Sequence, residues 1–326
     1  LMIDASTPAA RIALDDPAGP HPQATSWEKF APRLVRLGDG RTVVDTAFTR
    51  LTGRSPIMLA AMTPTTVDPE IVAAAANAGL WAEMAGGGQY SEEIFRTNSE
   101  GLKKLLAPGR AAGFNTMFFD RFMWNLQFGV NRIVPKARVN GAPFDAVTIS
   151  AGVPEKDEAV QLIRQLSAEG FTSICFKPGT IEQITDVLAI AEAVPDRTII
   201  MQIEDGHAGG HHSWEDLDDL LLATYAQIRQ TPNLVVTVGG GIGTPQRAAD
   251  YLTGTWARAH GRPAMPVDGV LVGTAAMTVA EAKTSPQVKR LLMETPGIES
   301  GWVGREESSG GVTSGLSHLD ADMYEV

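Results

Sequence analysis

Between residues 56 and 273 the chain repeats one unit: a short, nearly continuous apolar run ending in Gly, Thr, Pro or Asn, then a stretch of helical periodicity. The runs are Ile57–Ala61, Trp81–Met84, Asn115–Phe119, Ala146–Ser150, Ser173–Phe176, Ile199–Ile203, Val235–Val238 and Gly269–Val272, eight in all. Amphipathic patterns lie between them at Asp68–Ala78, Glu158–Glu169, Ile181–Ala193, Leu217–Arg229 and Gln246–Thr253. Strands apolar on both faces belong to a parallel sheet covered by helices. Eight such units in ~220 residues predict an α/β protein built as a closed (β/α)8 TIM barrel rather than an open doubly wound sheet. A Rossmann unit would carry Gly-x-Gly-x-x-Gly after its first strand. Here that strand runs into Ala61-Met62-Thr63-Pro64-Thr65-Thr66.

Outside this repeat the texture changes. Residues 1–55 read as a linker and lead-in: a Pro-, Ala- and Asp-rich opening, then a short helix with Ser26 as N-cap before Trp27-Glu28-Lys29-Phe30, then a turn at Asp39-Gly40. The barrel is expected over 56–295, closing with a helix over 279–294, and 296–326 begins a Gly/Ser-rich C-terminal extension. Both ends read as though cut from a longer protein. A net charge of −11 opposes encounter with nucleic acid or an anionic membrane. It opposes an acidic carrier protein too, so a carrier-borne substrate would need tethering or a local basic patch. No run approaches the ~20 apolar residues of a membrane span, and the N-terminus lacks a secretory pattern. The single cysteine, Cys175, sits in the apolar run Ser173–Phe176 and reads as a buried filler, consistent with a reducing, cytoplasmic setting.

Chemistry concentrates at the ends of the runs. Val238-Gly239-Gly240-Gly241-Ile242-Gly243-Thr244-Pro245 follows the seventh run and opens a helix, while the eighth ends in Gly273-Thr274-Ala275-Ala276. Glycines let backbone N–H groups approach an oxyanion, a helix N-terminus adds partial positive charge, and barrels recurrently bind phosphate at these two strand ends. After the sixth run comes Glu204-Asp205-Gly206-His207-Ala208-Gly209-Gly210-His211-His212-Ser213, which holds three of the six histidines. A metal site is one reading, but Gly209-Gly210 fix no ligand spacing and no second cluster completes a shell. A catalytic proton donor on a mouth loop is the preferred reading, since histidine gives up a proton near neutrality. Lys177 ends the fifth run, where it can meet a phosphate or an electron-rich ring; a Schiff-base lysine remains open. Small or polar groups end the first four runs: Ala61-Met62-Thr63, Gly86-Gly87, Asn115 and Ser150. Such a rim suits a flat cofactor whose edge accepts and donates hydrogen bonds.

These motifs together resemble the enoyl reductase domain of fungal-type and actinobacterial type I fatty acid synthases. The resemblance rests on Pro56–Thr66, Trp81–Gly88, Gly206–Asp216, the triple-glycine loop, Asp268–Met277, and the lead-in segments Phe30–Leu34 and Phe48–Leu51, so it covers about residues 26–326. More distantly, the chain is similar to nitronate monooxygenases and stand-alone flavin enoyl reductases. The resemblance implies FMN, with NADPH or NADH as co-substrate and hydride passing through flavin N5 to a trans-2-enoyl thioester. It also implies an acyl carrier domain and the other domains of an oligomeric megasynthase as partners. By the same resemblance His211, with His212 second, supplies the proton. Gly239, Gly240, Gly241, Gly273 and Thr274 hold the phosphate. Ala61, Met62, Thr63, Gly86, Gly87, Asn115, Ser150 and Lys177 contact the ring or ribityl chain. Ala61 departs from the pattern, which carries glycine there. A nitronate-type flavin oxidase and a flavin-free structural barrel are the alternative functions.

Overall fold

In the computed structural model, which describes residues 27–296, 308–317 and 322–325, a hairpin leads into a closed parallel barrel. A 3-10 turn at Trp27–Phe30 precedes β1 (Arg33–Arg36) and β2 (Thr42–Asp45), which pair antiparallel. Asp39 accepts the amide of Arg41 at 3.0 Å inside the connecting turn. The proposed Ser26 cap lies outside the described residues. Helix α1 (Ala47–Thr52) is capped by Thr46, whose side chain accepts the Thr49 amide, and it ends at Gly53 with φ 68°. It exists to place Phe48, fully buried, against Trp81 with ring centroids 5.4 Å apart. That contact plugs the N-terminal end of the barrel.

The barrel strands are β3 (Ser55–Leu59), β4 (Leu80–Ala85), β5 (Ala112–Met117), β6 (Phe144–Ser150), β7 (Ser173–Phe176), β8 (Ile199–Glu204), β10 (Leu234–Gly239) and β11 (Gly269–Val272). They close in the order β10-β11-β3-β4-β5-β6-β7-β8, every neighbour parallel. The short strand β9 (Gly210–His211) lies outside the barrel. Helices α2 (Pro69–Asn77), α3 (Glu92–Leu105), α4 (Arg121–Gln127), α5 (Ile133–Val139), α6 (Lys156–Ala168), α7 (Ile181–Ala193), α8 (Leu217–Gln230) and α9 (Pro245–Thr253) connect the strands, and α10 (Pro286–Glu294) follows them. The eight-run (β/α)8 reading of the sequence is therefore the observed architecture. No helix among the described residues is long and apolar enough to cross a membrane.

Two apolar cores result, as a barrel requires. One lies between strands and helices; the other fills the barrel's lower interior with Met58, Ala60, Trp81, Ala146, Cys175, Ile200, Val235 and Leu271 around Phe48. Cys175 is thus a buried filler, and burial pushes its thiol well above the usual range. Strands project alternate residues inward, so the next inward position two residues on defines a second layer. That layer is polar. Glu83, fully buried, accepts hydrogen bonds from Trp81 at 2.9 Å, Thr148 at 2.8 Å, Gln202 at 2.8 Å and Asn115 at 3.0 Å. Three of these donors meet Oε1 and Asn115 alone meets Oε2, and Gly113 leaves the room the side chain needs.

The differences from the sequence reading have local causes. Strand β5 starts three residues earlier than the run Asn115–Phe119, because Ala112 and Gly113 belong to the buried ladder; Phe118 and Phe119 still donate to Ser150 and Ala151. Helix α3 adds an element to those expected, capped by Ser91 with Phe95, Ser99 and Leu102 buried along its fourteen residues. The closing helix begins at Pro286 rather than 279, since Ser285 caps it and proline occupies its first turn.

Candidate functional site

The third inward layer is the barrel mouth, and it collects the residues singled out in the sequence. Met62, Ser150, Lys177, Gly239 and Gly273 continue the inward alternation of their strands; Asn115 is in the polar layer just beneath. Asn115 ties the two layers together: its amide donates to Glu83, and its carbonyl accepts the Ser150 hydroxyl at 2.7 Å. Met62 donates its amide to Thr66 at 2.8 Å and accepts the Thr66 amide at 2.7 Å, which folds the loop after β3 back on itself. Ala61 and Met62 are partly exposed and Thr63 is exposed. A β-carbon on Gly87 would meet the Thr63 hydroxyl at 2.7 Å, so these two loops touch. Gly86 is different. It is buried, with its free face against the Asn115 carbonyl and Gln127, whose amide donates to the Gly86 carbonyl at 2.8 Å.

Lys177 is held at the mouth by an ion pair with Glu204 at 2.7 Å, its side chain 9% exposed. The sequence assigns Glu204 no role of its own, although its inward place at the end of β8 is the readable signal.

The two glycine loops come together at the ends of β10 and β11. The β-carbon position of Gly243 lies 3.6 Å from that of Ala275, an ordinary contact between exposed residues. Gly241, exposed at φ 60°, has only the His207 β-carbon nearby, at 3.5 Å. Thr244 caps α9 by accepting the Arg247 amide at 3.2 Å, and the Arg247 guanidinium lies over the Tyr251 ring at 4.8 Å. Exposed amides, a helix N-terminus and a nearby arginine form a set that can hold a phosphate. Gly240 has another job. At φ 112° it makes room for the buried Asp205 carboxylate, with which any β-carbon would collide.

Asp205 organises the histidine loop. It accepts the His207 amide and ring Nδ1, each at 2.9 Å, and this hydrogen bond raises the His207 pKa above the usual histidine value. Farther along, Gly209 packs against the Thr274 hydroxyl, so the loop reaches across the end of β11. His211 is exposed on β9, whereas His212 is half-buried and its Nδ1 donates to the Ser213 carbonyl at 2.6 Å. Its buried Nε2 has no hydrogen-bond partner. Burial lowers the His212 pKa. The two histidines therefore respond oppositely to acid. Stabilisation from the His207–Asp205 pair is complete below about pH 6.5 and fades as pH rises through the raised pKa. Packing of neutral His212 is complete above about pH 6.5 and is lost as pH falls through the depressed pKa.

The C-terminal extension does not trail away from the barrel. Strands β12 (Ser308–Ser309), β13 (Val312–Leu316) and β14 (Asp322–Glu325) form an antiparallel sheet that ends on β9. Nothing local in the Gly/Ser-rich sequence announces this pairing, because its partner is more than a hundred residues away. A cleft of about 360 Å3 lies at the other, N-terminal end of the barrel, bounded by Ile163, Phe171 and Ile199, remote from these loops.

Comparison with known proteins places this arrangement. A family model described as fatty acid synthase subunit beta/Fas1-like, helical, matches residues 198–326. The chain is 42% identical over 305 residues to fatty acid synthase beta subunit aflB of Emericella nidulans, covering 93% of the chain and 14% of that protein. It is 34% identical over 304 residues to the fatty acid synthase subunit beta of Saccharomyces cerevisiae, covering 92% of the chain and 14% of that protein. It thus spans about one-seventh of these relatives' length. Among solved structures, the enoyl reductase domain of MlnA from Bacillus amyloliquefaciens matches with a TM-score of 0.58 at 15% identity, covering 86% of the chain and 65% of that one. Nitroalkane oxidase from Streptomyces ansochromogenes matches with a TM-score of 0.52 at 22% identity, covering 77% and 73%. These two share the fold. Over 92–93% of its length the chain is homologous to one segment of about 300 residues of fungal fatty acid synthase beta subunits.

Proposed function

We propose that this segment is the FMN-dependent enoyl reductase of a multifunctional fatty acid synthase, reducing a carrier-bound trans-2-enoyl thioester with NADPH or NADH. The observation that carries the reading is the convergence of three loops on one barrel mouth: the glycine loops after β10 and β11, and the histidine loop between β8 and α8. The relatives' names support a role in fatty acid synthesis, and the fold shared with an enoyl reductase domain is compatible with it. The partners are an acyl carrier domain and the remaining synthase domains in an oligomeric cytoplasmic assembly.

The residues present fit an FMN. Amides of Gly239, Gly241 and Gly273 and the hydroxyl of Thr274 hold the phosphate, and the α9 N-terminus contributes its partial charge. Gly240 contributes by admitting Asp205, which sets the histidine loop, more than by facing the anion. Met62, Thr63, Gly87 and Asn115 would border the ring, with Ala61 and Ser150 beside them, while Gly86 supports this rim through its contact with Gln127. Bound FMN supplies the two-electron redox chemistry between the nicotinamide and the β-carbon of the enoyl thioester. His211 would give its proton to the α-carbon of the resulting enolate, from a loop whose Gly209 packs against Thr274 at the end of β11.

Two variants test the cofactor placement. Gly243→Glu puts a carboxylate where the phosphate belongs, at an exposed position whose added β-carbon meets only ordinary contacts. It should purify folded but colourless, by circular dichroism and flavin absorbance; stoichiometric flavin in this variant would move the phosphate elsewhere. Lys177 contacts the cofactor and forms no Schiff base, because its ammonium is already committed to Glu204. Borohydride added with substrate should leave Lys177 unmodified by mass spectrometry, and an adduct there would indicate aldolase-type chemistry.

A further inference from the structure

Strand β14 of the extension lies on the histidine loop. Met323 pairs with His211 and Tyr324 with Gly210, in antiparallel register. The His212 amide donates to the Asp322 carbonyl at 3.2 Å, and the Trp214 indole donates to the Asp322 carboxylate at 2.6 Å across 108 residues of chain. The Tyr324 ring lies flat on the His212 imidazole, centroids 3.7 Å apart at an interplanar angle of 6°. Trp214 closes the cluster edge-on to His212 at 4.7 Å. Tyr324 is itself 6% exposed and packs with Val312 in a small core separate from the barrel's.

We infer that the C-terminal sheet is part of the catalytic site, with Tyr324 and Asp322 as positioning residues that hold β9 and the adjoining His212 across the barrel mouth. The inference deepens the proposed reading and rests on it for the chemistry. Its physical basis is independent of that chemistry. Gly209-Gly210 gives the loop little stiffness of its own, with Gly210 at φ 77°. Flanking glycines leave a two-residue strand too short to order itself, since isolated short strands are unstable in water. Pairing with β14 supplies the missing ladder bonds, and the ring stack fixes the rotation of the loop. Strand residues alternate in direction, so seating His212 on Tyr324 turns His211 to the opposite face. Half of the histidine pair is thereby an anchor, which frees the other half to act on substrate.

The groups facing His212 are Asp322 and Tyr324 from β14, and Asp205, His207, the Ser213 carbonyl and Trp214 from its own loop. Loss of the stack exposes the imidazole, and its titration should move upward toward the ordinary histidine value, the direction opposite to the burial effect.

The test uses the full chain with Tyr324→Ala and Tyr324→Phe. In Tyr324→Ala, amide hydrogen exchange at residues 210–214 should accelerate by about tenfold, the scale of one ring stack in a local opening equilibrium. The His212 resonance should titrate at higher pH, and reduction of an enoyl thioester should slow while bleaching of the flavin by nicotinamide stays near wild type. Tyr324→Phe keeps the ring and should restore all three. Unchanged loop exchange and His212 titration in Tyr324→Ala would overturn the inference. So would a slowing of both half-reactions in equal measure, which marks a general loss of structure. Should the flavin reading itself be wrong, wild type would show no flavin and no enoyl turnover, yet exchange and titration would still report on the strap.

Discussion

His211→Ala will reduce enoyl turnover by about 10²–10⁴-fold, the usual contribution of a positioned general acid, while flavin content and the nicotinamide half-reaction stay near wild type. The separation follows from position. His211 is exposed on β9, at a loop that crosses the end of β11, whereas the phosphate cradle is built from glycine amides and Thr274. Removing the imidazole leaves every cradle donor in place. The pH–rate profile of the variant should lose its histidine-like limb. His212→Ala should act differently, by loosening the loop from Tyr324, so its loss should be accompanied by faster amide exchange around β9. Near-normal enoyl turnover in His211→Ala together with a large loss in His212→Ala and unchanged loop exchange would reverse the two roles. Stopped-flow measurement of the two half-reactions distinguishes these outcomes.

Asp268→Ala will destabilise the barrel by about 3–5 kcal/mol, among the largest effects open to a single substitution away from the mouth. Asp268 is 1% exposed and accepts the Arg229 guanidinium at 2.7 Å and the Val236 amide at 2.9 Å. Its backbone carbonyl accepts the Thr46 hydroxyl at 2.6 Å, which ties the lead-in helix α1 to the start of β11. Arg229 also donates to the Pro266 carbonyl and stacks on Phe30 at 4.3 Å. Deleting the carboxylate strands a buried cation and a buried amide together. The midpoint of thermal unfolding should fall by on the order of 10 °C. Asp268→Asn, which keeps an acceptor for Val236 while losing the charge, should fall between the two. Equal midpoints for wild type and Asp268→Ala would show that Arg229 finds other partners.

The barrel was legible because its signal is repeated. Eight apolar runs, each too short for a helix, permit few topologies, and inward alternation then assigns Met62, Ser150, Lys177, Gly239 and Gly273 to one mouth. What stayed hidden depends on long-range pairing. Glu83 gave no sign in Trp81-Ala82-Glu83-Met84, because its partners Asn115, Thr148 and Gln202 come from three other strands. Gly240 reads as a phosphate-cradle glycine and Gly86 as a ring contact in sequence, yet each faces protein, Asp205 and Gln127 respectively. The C-terminal sheet was least readable. Its strands are brief and polar, and their order comes from a loop more than a hundred residues upstream. Helix α3 was readable in principle, since Phe95, Ser99 and Leu102 keep helical spacing behind the Ser91 cap.

The most direct test of the central claim is an anaerobic titration of the purified chain followed by absorbance at flavin wavelengths. The protein should carry FMN, bleach on addition of NADPH or NADH, and regain its colour when a trans-2-enoyl thioester is added without oxygen. Colourless folded protein that FMN cannot reconstitute would contradict the flavin reading. Bleached protein that recovers its colour only with oxygen, and not with the enoyl thioester, would contradict the reductase and leave a flavin oxidase in its place.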